Sequence, residues 1–463
     1  MKFTKKTAYL LNFISLAVVS FLLFHFLGQA VVPVSYADYY KHDLSQMKKK
    51  GQTYDLIFVG ASRTFRSFDP KVFARETDYK NVLNAGSVAQ TIEGSYYLTR
   101  ELIKKQHPKR LVVGLSYNEL FYQQEDKSPR GNMVLYDRLE DPLVKAEFVS
   151  KVLKGNDLLY LSNLYRYGSS ISPSYLASTW QERKKLAESD FAPVEKKKEY
   201  YDGNGFVYSK RTVKKGATPM RSEGTFSEKK VDPDKLALLG KIIDLCKEKG
   251  IKVSLVTGPT SLMTMYNITN YQGATDFYTE YAKEKGISYY NLNMLKGRLD
   301  LFPDDAMLDY NHVNGEGARR ASEKYAKVLK LEDQGKSAGS MFYKDLDQVK
   351  KQVDRVVACK ATRKFTMPKG TDRKYMNVNS LPAGAQVEYK ISYKKPGAKK
   401  YRLFAVYSNM TIYDVTGIAK PGTKILIYAR IKGHDVPREV YQRYTVSNDG
   451  KKLTKKHLRL NDK

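Results

Sequence analysis

The order of apolar and polar positions divides the chain into stretches of different grammar. From Thr7 to Val32 there is no Lys, Arg, Asp or Glu, and an apolar run of that length can cross a bilayer, which needs about 20 such residues. From Asp55 onward, short apolar runs alternate with amphipathic ones. Asp55 to Val59 reads as a buried strand ending at Gly60, Asn81 to Leu83 as a second and Arg110 to Leu115 as a third, with a helix over Thr91 to Gln106. The alternation breaks between about Phe121 and Asp232, where helical pieces such as Pro142 to Leu153 lie among polar, Gly- and Lys-rich segments. It resumes with a helix over Pro233 to Lys249 closed by Gly250, a strand over Ile251 to Thr257, a helix over Ala274 to Lys285 closed by Gly286, and a strand over Ile287 to Asn291. Asn314 then stands as the N-cap of a helix reaching about Leu331. This grammar predicts an α/β domain around a central parallel sheet of five strands.

Past Glu332 the composition turns small and polar, as in a flexible linker, with a short amphipathic helix near Tyr343 to Val353. The rest alternates as strands do: Gln386 to Tyr393, Tyr401 to Tyr407, Lys424 to Ile431 and Val440 to Val446, with turns at Lys395-Pro396-Gly397 and Lys420-Pro421-Gly422. A small C-terminal β-sandwich is the expectation. The division is then 1–34 for a cytoplasmic stub and transmembrane anchor, and 50–331 for the α/β domain with an insertion at about 121–232. A linker and helix occupy 332–354 and the β-domain 355–463.

Charge orients the anchor. Lys2, Lys5 and Lys6 favour a cytoplasmic N-terminus and an extracellular body on a single-pass cell-membrane protein, although Lys41 and Lys48 to Lys50 reduce the asymmetry. A cleaved signal peptide is the rival reading, with Ser35-Tyr36-Ala37 as a loose cleavage site. The formal net charge of +31 raises nucleic acid as a partner, but the lysines are scattered in pairs and triplets and collect on no single arm. Anionic surfaces outside the cell, such as lipid headgroups, wall polymer or acidic polysaccharide, fit that pattern, and so does solubility alone. Cys246 and Cys359 fall in different predicted domains, so neither a disulfide framework nor a metal site is expected, and no motif calls for a cofactor.

In an open α/β sheet, reactive residues are expected at the carboxyl ends of the strands. The first predicted strand ends in Gly60-Ala61-Ser62-Arg63 and the second in Asn84-Ala85-Gly86-Ser87. The third leads to Ser116-Tyr117-Asn118, and before the last helix of the domain stands Asp309-Tyr310-Asn311-His312. A nucleophilic serine needs a base, and the base needs a partner to set its tautomer. Of six histidines, His25 and His42 lie in or near the anchor, His107 ends a helix, and His434 and His457 belong to the C-terminal region. Only His312 follows the last strand of the α/β domain with a carboxylate beside it. Taken singly, Ser62 is also a helix N-cap, Gly86 a turn glycine, Asn118 a turn cap, and Asp309 a surface carboxylate next to a structural histidine. Arg63 and Arg66 read as anion contacts or structural pairs.

Together these blocks resemble the SGNH hydrolase superfamily, in its membrane-anchored branch that includes the alginate O-acetylation proteins and the D-alanyl-lipoteichoic-acid D protein. Residues 55 to 330 carry the resemblance: Ser62 matches the nucleophile, Gly86 the second block, and Asp309 with His312 the terminal Asp-x-x-His. Phe58 to Pro70 is closest to that branch, with Ala61 where the wider superfamily has aspartate. Asn118 is the candidate for the family's oxyanion asparagine, displaced from the usual spacing after Gly114.

The resemblance implies a three-layer SGNH-like fold with Ser62, Asp309 and His312 as catalytic residues and Gly86 and Asn118 in the oxyanion hole. It implies an extracytoplasmic O-acetyltransferase or esterase acting on exopolysaccharide or cell-wall polymer beside a membrane-bound O-acyltransferase. The β-domain then reads either as a carbohydrate-binding module, with some of the 36 tyrosines as stacking faces, or as ordinary structure with tyrosines in core and strand positions. The alternative function is a non-catalytic scaffold or polymer-binding envelope protein.

Overall fold

The computed structural model describes residues 5–121, 130–213, 224–433 and 440–455; Lys2, His434 and His457 lie outside the described residues. Five parallel strands form the central sheet: β1 (Leu56–Gly60), β2 (Val82–Asn84), β3 (Arg110–Gly114), β4 (Lys252–Thr257) and β5 (Ser288–Asn291), in the order β2-β1-β3-β4-β5. Side chains alternate between the two faces of a strand. Ile57 and Val59 of β1, with Val113 and Leu255, join one buried cluster, while Leu56 and Phe58, with Val112 and Val256, join another. The strands therefore need cover on both sides, which explains their continuous apolar runs.

Helices supply the cover. On the first face lie Ile92–Gln106, Pro233–Glu248 and Tyr271–Glu284, through residues such as Leu98, Leu102, Leu239, Ile243 and Tyr278. On the second lies Gly315–Asp333, through Ala318, Ala321, Tyr325 and Leu329. Asn314 caps this last helix by accepting from the Gly317 amide, and Thr91 caps the first in the same way by accepting from Gly94.

The stretch after Glu332 reads from composition as a flexible linker, and its start is held where the last α/β helix ends. Arg110, nearly buried at the start of β3, donates from Nη1 to Glu332 Oε2 at 2.7 Å and from Nη2 to Asp333 Oδ1 at 2.9 Å. Ala338 is buried in the second cluster.

The Tyr- and Lys-rich segment after residue 34 is also structured. Tyr36–Lys49 is a helix with a Ser35/Asp38 capping box, and its Tyr40, Leu44 and Met47 enter the first core cluster. Within the insertion, Glu199–Gly203 and Phe206–Ser209 pair as an antiparallel hairpin against the main domain, where the Asn84 amide donates to Asn204 O at 2.9 Å. The C-terminal region holds a three-stranded and a five-stranded sheet, both with antiparallel pairings. Cys359, Met376 and Tyr413 from one sheet and Ile391, Ile427 and Tyr444 from the other share a single buried cluster.

Lys5–Ala30 is one 26-residue helix. The side chains of 5–11, 17 and 21–25 are not described, and among the described residues no helix is long and apolar enough to cross a membrane.

Candidate active site

The site is built where β1 meets the short helix Ser62–Ser67. Gly60 and Gly114 are Cα partners at the ends of β1 and β3, and Thr64 packs over both. A Cβ on Gly114 would stand 1.7 Å from Thr64 Oγ1, and one on Gly60, whose φ is +146°, would stand 2.5 Å from the same atom. Two glycines therefore let the helix fold back over the sheet edge with Ser62 as its first residue. Ala61, the N-cap residue, makes no side-chain cap bond, so the first-turn N–H groups face the cleft without a capping partner.

Asn84 secures this helix from the far side. Fully buried, its Nδ2 donates to Thr64 O at 3.1 Å and to Phe68 O at 2.8 Å, two carbonyls near the helix end. Its Oδ1 accepts the Gly86 amide at 3.1 Å.

Ser62 Oγ lies 2.8 Å from His312 Nε2. His312 Nδ1 lies 2.9 Å from Asp309 Oδ1 and 3.0 Å from Oδ2. Because a carboxylate only accepts, the imidazole proton sits on Nδ1, which leaves Nε2 as the acceptor for the serine hydroxyl. Asp309 Oδ1 also accepts the amides of Asn311 at 2.7 Å and His312 at 2.9 Å. Burial pushes the Asp309 carboxyl up, but the His312 hydrogen bond and charge together with these amides outweigh it, so its pKa lies below the ordinary value. The loop is pinned from outside as well. Tyr310 O accepts from Thr260 Oγ1 at 3.0 Å, Thr264 Oγ1 at 2.7 Å and the Ser261 amide at 3.0 Å.

These groups open on a cleft of about 210 Å³ lined by Ser62, Arg63, Asn118, Glu119, Asn311 and His312 among others. Asn118 is exposed, and Ser116 Oγ lies 3.1 Å from its Oδ1 and 2.8 Å from Glu119 Oε2. Burial pushes the Glu119 carboxyl up, against the Ser116 hydrogen bond and the Arg63 charge. Arg63 donates from Nη2 to Asn311 Oδ1 at 3.2 Å, and Arg66 pairs with Glu199 at 3.1 Å.

Of the sequence candidates, Ser62, Asp309, His312 and Asn118 are brought to one place, and Gly86 is not. The Gly86 amide is committed to Asn84 Oδ1, and Gly86 does not line the cleft. A Cβ there would meet the Phe65 amide nitrogen at 2.9 Å, so this glycine permits close packing of the β2 exit against the nucleophile helix. Sequence reading missed Asn84, Ser116, Glu119 and the Thr260, Ser261, Thr264 clasp. Their types are ordinary for caps and turns, and nothing in their spacing distinguishes them.

No family model and no curated protein matches the chain. Among solved structures it is similar to a lipolytic-type protein of the G-D-S-L family from Desulfitobacterium hafniense, at 11% identity over 59% of this chain and 98% of that one, with a TM-score of 0.29. It is also similar to a GDSL-like lipase from Bacteroides thetaiotaomicron, at 12% identity over 65% and 99% with a TM-score of 0.28. A third likeness is to an acylhydrolase-type protein from Bacteroides fragilis, at 11% identity over 65% and 98% with a TM-score of 0.30.

Proposed function

We propose that the protein is a serine-dependent acyl-ester enzyme, an O-acyltransferase or esterase, with Ser62 as nucleophile, His312 as general base and Asp309 as the group that orients it. The observation that carries this reading is the unbroken chain Ser62 Oγ, His312 Nε2, His312 Nδ1, Asp309 Oδ1, at 2.8 Å and 2.9 Å. His312 takes the serine proton as Ser62 Oγ attacks the acyl carbonyl, and returns it to the leaving oxygen as an acyl-serine forms. The oxyanion is held by the Ser62 amide at the open helix start and by Asn118 Nδ2. A second oxygen nucleophile, deprotonated by His312, then takes the acyl group: water gives hydrolysis and a sugar hydroxyl gives transfer. A cleft of about 210 Å³ suits a short acyl group such as acetyl.

Transfer to a polymer is supported by a second, larger space. A groove of about 920 Å³ is lined by Phe65 and Arg66, one helical turn from Ser62, and by Tyr36, Tyr39, Tyr200 and Tyr201. Phe65, Tyr200 and Tyr201 are buried, and the half-buried Tyr36 and Tyr39 beside Arg66 suit a saccharide chain of exopolysaccharide or cell-wall polymer.

The groove reaches Val34 and Ser35, close after Lys5–Ala30. Phe13, Ile14, Leu16, Val19 and Phe26 are exposed on that helix, and exposed apolar side chains of this size are suited to lipid. We therefore place the protein in the cell membrane, single-pass, with its main domains outside, taking acyl groups from a membrane-bound O-acyltransferase and passing them to the polymer. Fractionation tests the placement: the chain should leave membranes with detergent and stay with them in high salt.

The enzymatic reading is tested by hydrolysis of 4-nitrophenyl acetate by the full chain in detergent, beside Ser62→Ala and His312→Ala. Loss of turnover in both variants is expected. Equal turnover in all three proteins would overturn the assignment.

A further inference from the structure

Arg298 is the least accommodated charge in the described structure. Its side chain is 2% exposed. It donates from Nη2 to Thr260 O at 2.7 Å, while Nε and Nη1 are buried without a hydrogen-bond partner. It makes no ion pair with any described residue, and no aromatic ring among them stacks on it. Burial pushes its pKa down to about 10, with Tyr271 and Tyr266 opposing and the positive Arg355 adding to the fall. The Tyr266 hydroxyl is itself buried without a partner.

A guanidinium carries five N–H donors and no acceptor, and a buried one is ordinarily met by a carboxylate or phosphate. Here the nearby formal charge acting on it is a second arginine. Both arginines line a cavity of about 300 Å³ between the Gly297 to Asp300 turn and the segment 349–355, equal to about ten waters at ~30 Å³ each. Asp300 and Asp354 also line it and are exposed, whereas Arg298 is buried and Arg355 half-buried. No residue lines both this cavity and the catalytic cleft.

We propose that this cavity binds a small phosphate-bearing anion between Arg298 and Arg355. Two guanidiniums approaching from different elements match an ion with oxygens on several sides. Arg298 belongs to the α/β domain and Arg355 begins the approach to the C-terminal sheets, so the bound anion bridges the two regions. This site is independent of the acyl-ester reading.

The test is thermal unfolding of the full chain titrated with inorganic phosphate at constant ionic strength, with glycerol 3-phosphate as a parallel arm. Wild type should show a saturable rise in Tm. Arg355→Met, at a half-buried position, should need at least tenfold more phosphate for the same rise, and Arg298→Met should show none. Tighter action by glycerol 3-phosphate would identify the ligand as an ester, and tighter action by inorganic phosphate as the free ion. No saturable rise in wild type, or an equal rise in wild type and Arg355→Met, would overturn the proposal.

Discussion

Replacing Asp309 by asparagine isolates what the carboxylate does for His312. The side chain keeps its shape, and its oxygen can still accept the Asn311 and His312 amides now at 2.7 Å and 2.9 Å from Oδ1, so the loop should survive. The other terminus becomes an NH₂ group, which donates. His312 Nδ1 then lies 2.9 Å from the retained oxygen, which already accepts two amides, and 3.0 Å from the new NH₂. The NH₂ favours a bare Nδ1 with the proton on Nε2, the atom 2.8 Å from Ser62 Oγ. A protonated Nε2 cannot remove the serine proton. Loss of the correct tautomer in a serine-histidine-aspartate system costs about 10⁴ in kcat, close to 5.5 kcal/mol at ~1.36 kcal/mol per tenfold.

The assay is ester hydrolysis beside thermal unfolding, so that a misfolded variant is recognised. A decrease of less than tenfold in a folded Asp309→Asn protein would refute the reasoning. The variant also carries a pH signature. The Asp309 carboxyl is held below its ordinary value in the folded chain, so its contribution to stability is complete above the unfolded carboxylate value of about 3.9 and fades as pH falls through the folded one. Any stability advantage of wild type over Asp309→Asn should shrink below about pH 4, which acid titration of Tm would read.

Other perturbations reach other parts of the account. Asn118→Ala should lower kcat by about 10² with little change in KM, because the donor acts on the developing oxyanion; a raised KM at constant kcat, in steady-state kinetics, would assign Asn118 to substrate binding instead. Gly114→Ala must move Thr64, whose Oγ1 would lie 1.7 Å from the new Cβ. It should cost about 1–3 kcal/mol in urea unfolding and displace Ser62 enough to remove most activity. Arg110→Met removes the guanidinium shared by Glu332 and Asp333 but leaves Asp333 with Lys252 and Glu332 with Tyr290, and a loss of about 1–3 kcal/mol in the same assay is expected.

The central sheet was readable because each strand is a short apolar run closed by glycine or a polar turn. Lys252–Thr257 and Ser288–Asn291 begin one residue from their expected starts. Helices with an explicit cap, at Thr91 and Asn314, were equally plain. Tyr36–Lys49 was hidden because its buried face is only Tyr40, Leu44 and Met47 in a charged segment. The insertion hairpin was hidden for a related reason: Tyr200, Tyr201 and Tyr208 form its packing surface, and tyrosine marks core and exterior alike. In the C-terminal region four long strands were visible, but Tyr375–Leu381 was hidden because its buried face is only Met376, Val378 and Ser380, and Ala358–Ala361, Ile412–Asp414 and Leu453–Lys455 are too short to show a period.

At the site, the chemistry-bearing residues could be found from their places at strand ends. The supporting bonds could not, since Asn84, Ser116 and Thr260 act through contacts made only in the folded chain. Gly86 shows the limit most clearly: its position after the second strand is as expected, yet the neighbouring Asn84 side chain has taken its amide.

The central claim, that Ser62 is a nucleophile activated by His312, is tested most directly by labelling the full chain with a fluorophosphonate and mapping the adduct by mass spectrometry. The account predicts a single adduct on Ser62 in wild type, none in Ser62→Ala, and labelling slowed by several orders of magnitude in His312→Ala. An unlabelled but folded wild type, or an adduct on another residue that persists in Ser62→Ala, would contradict it.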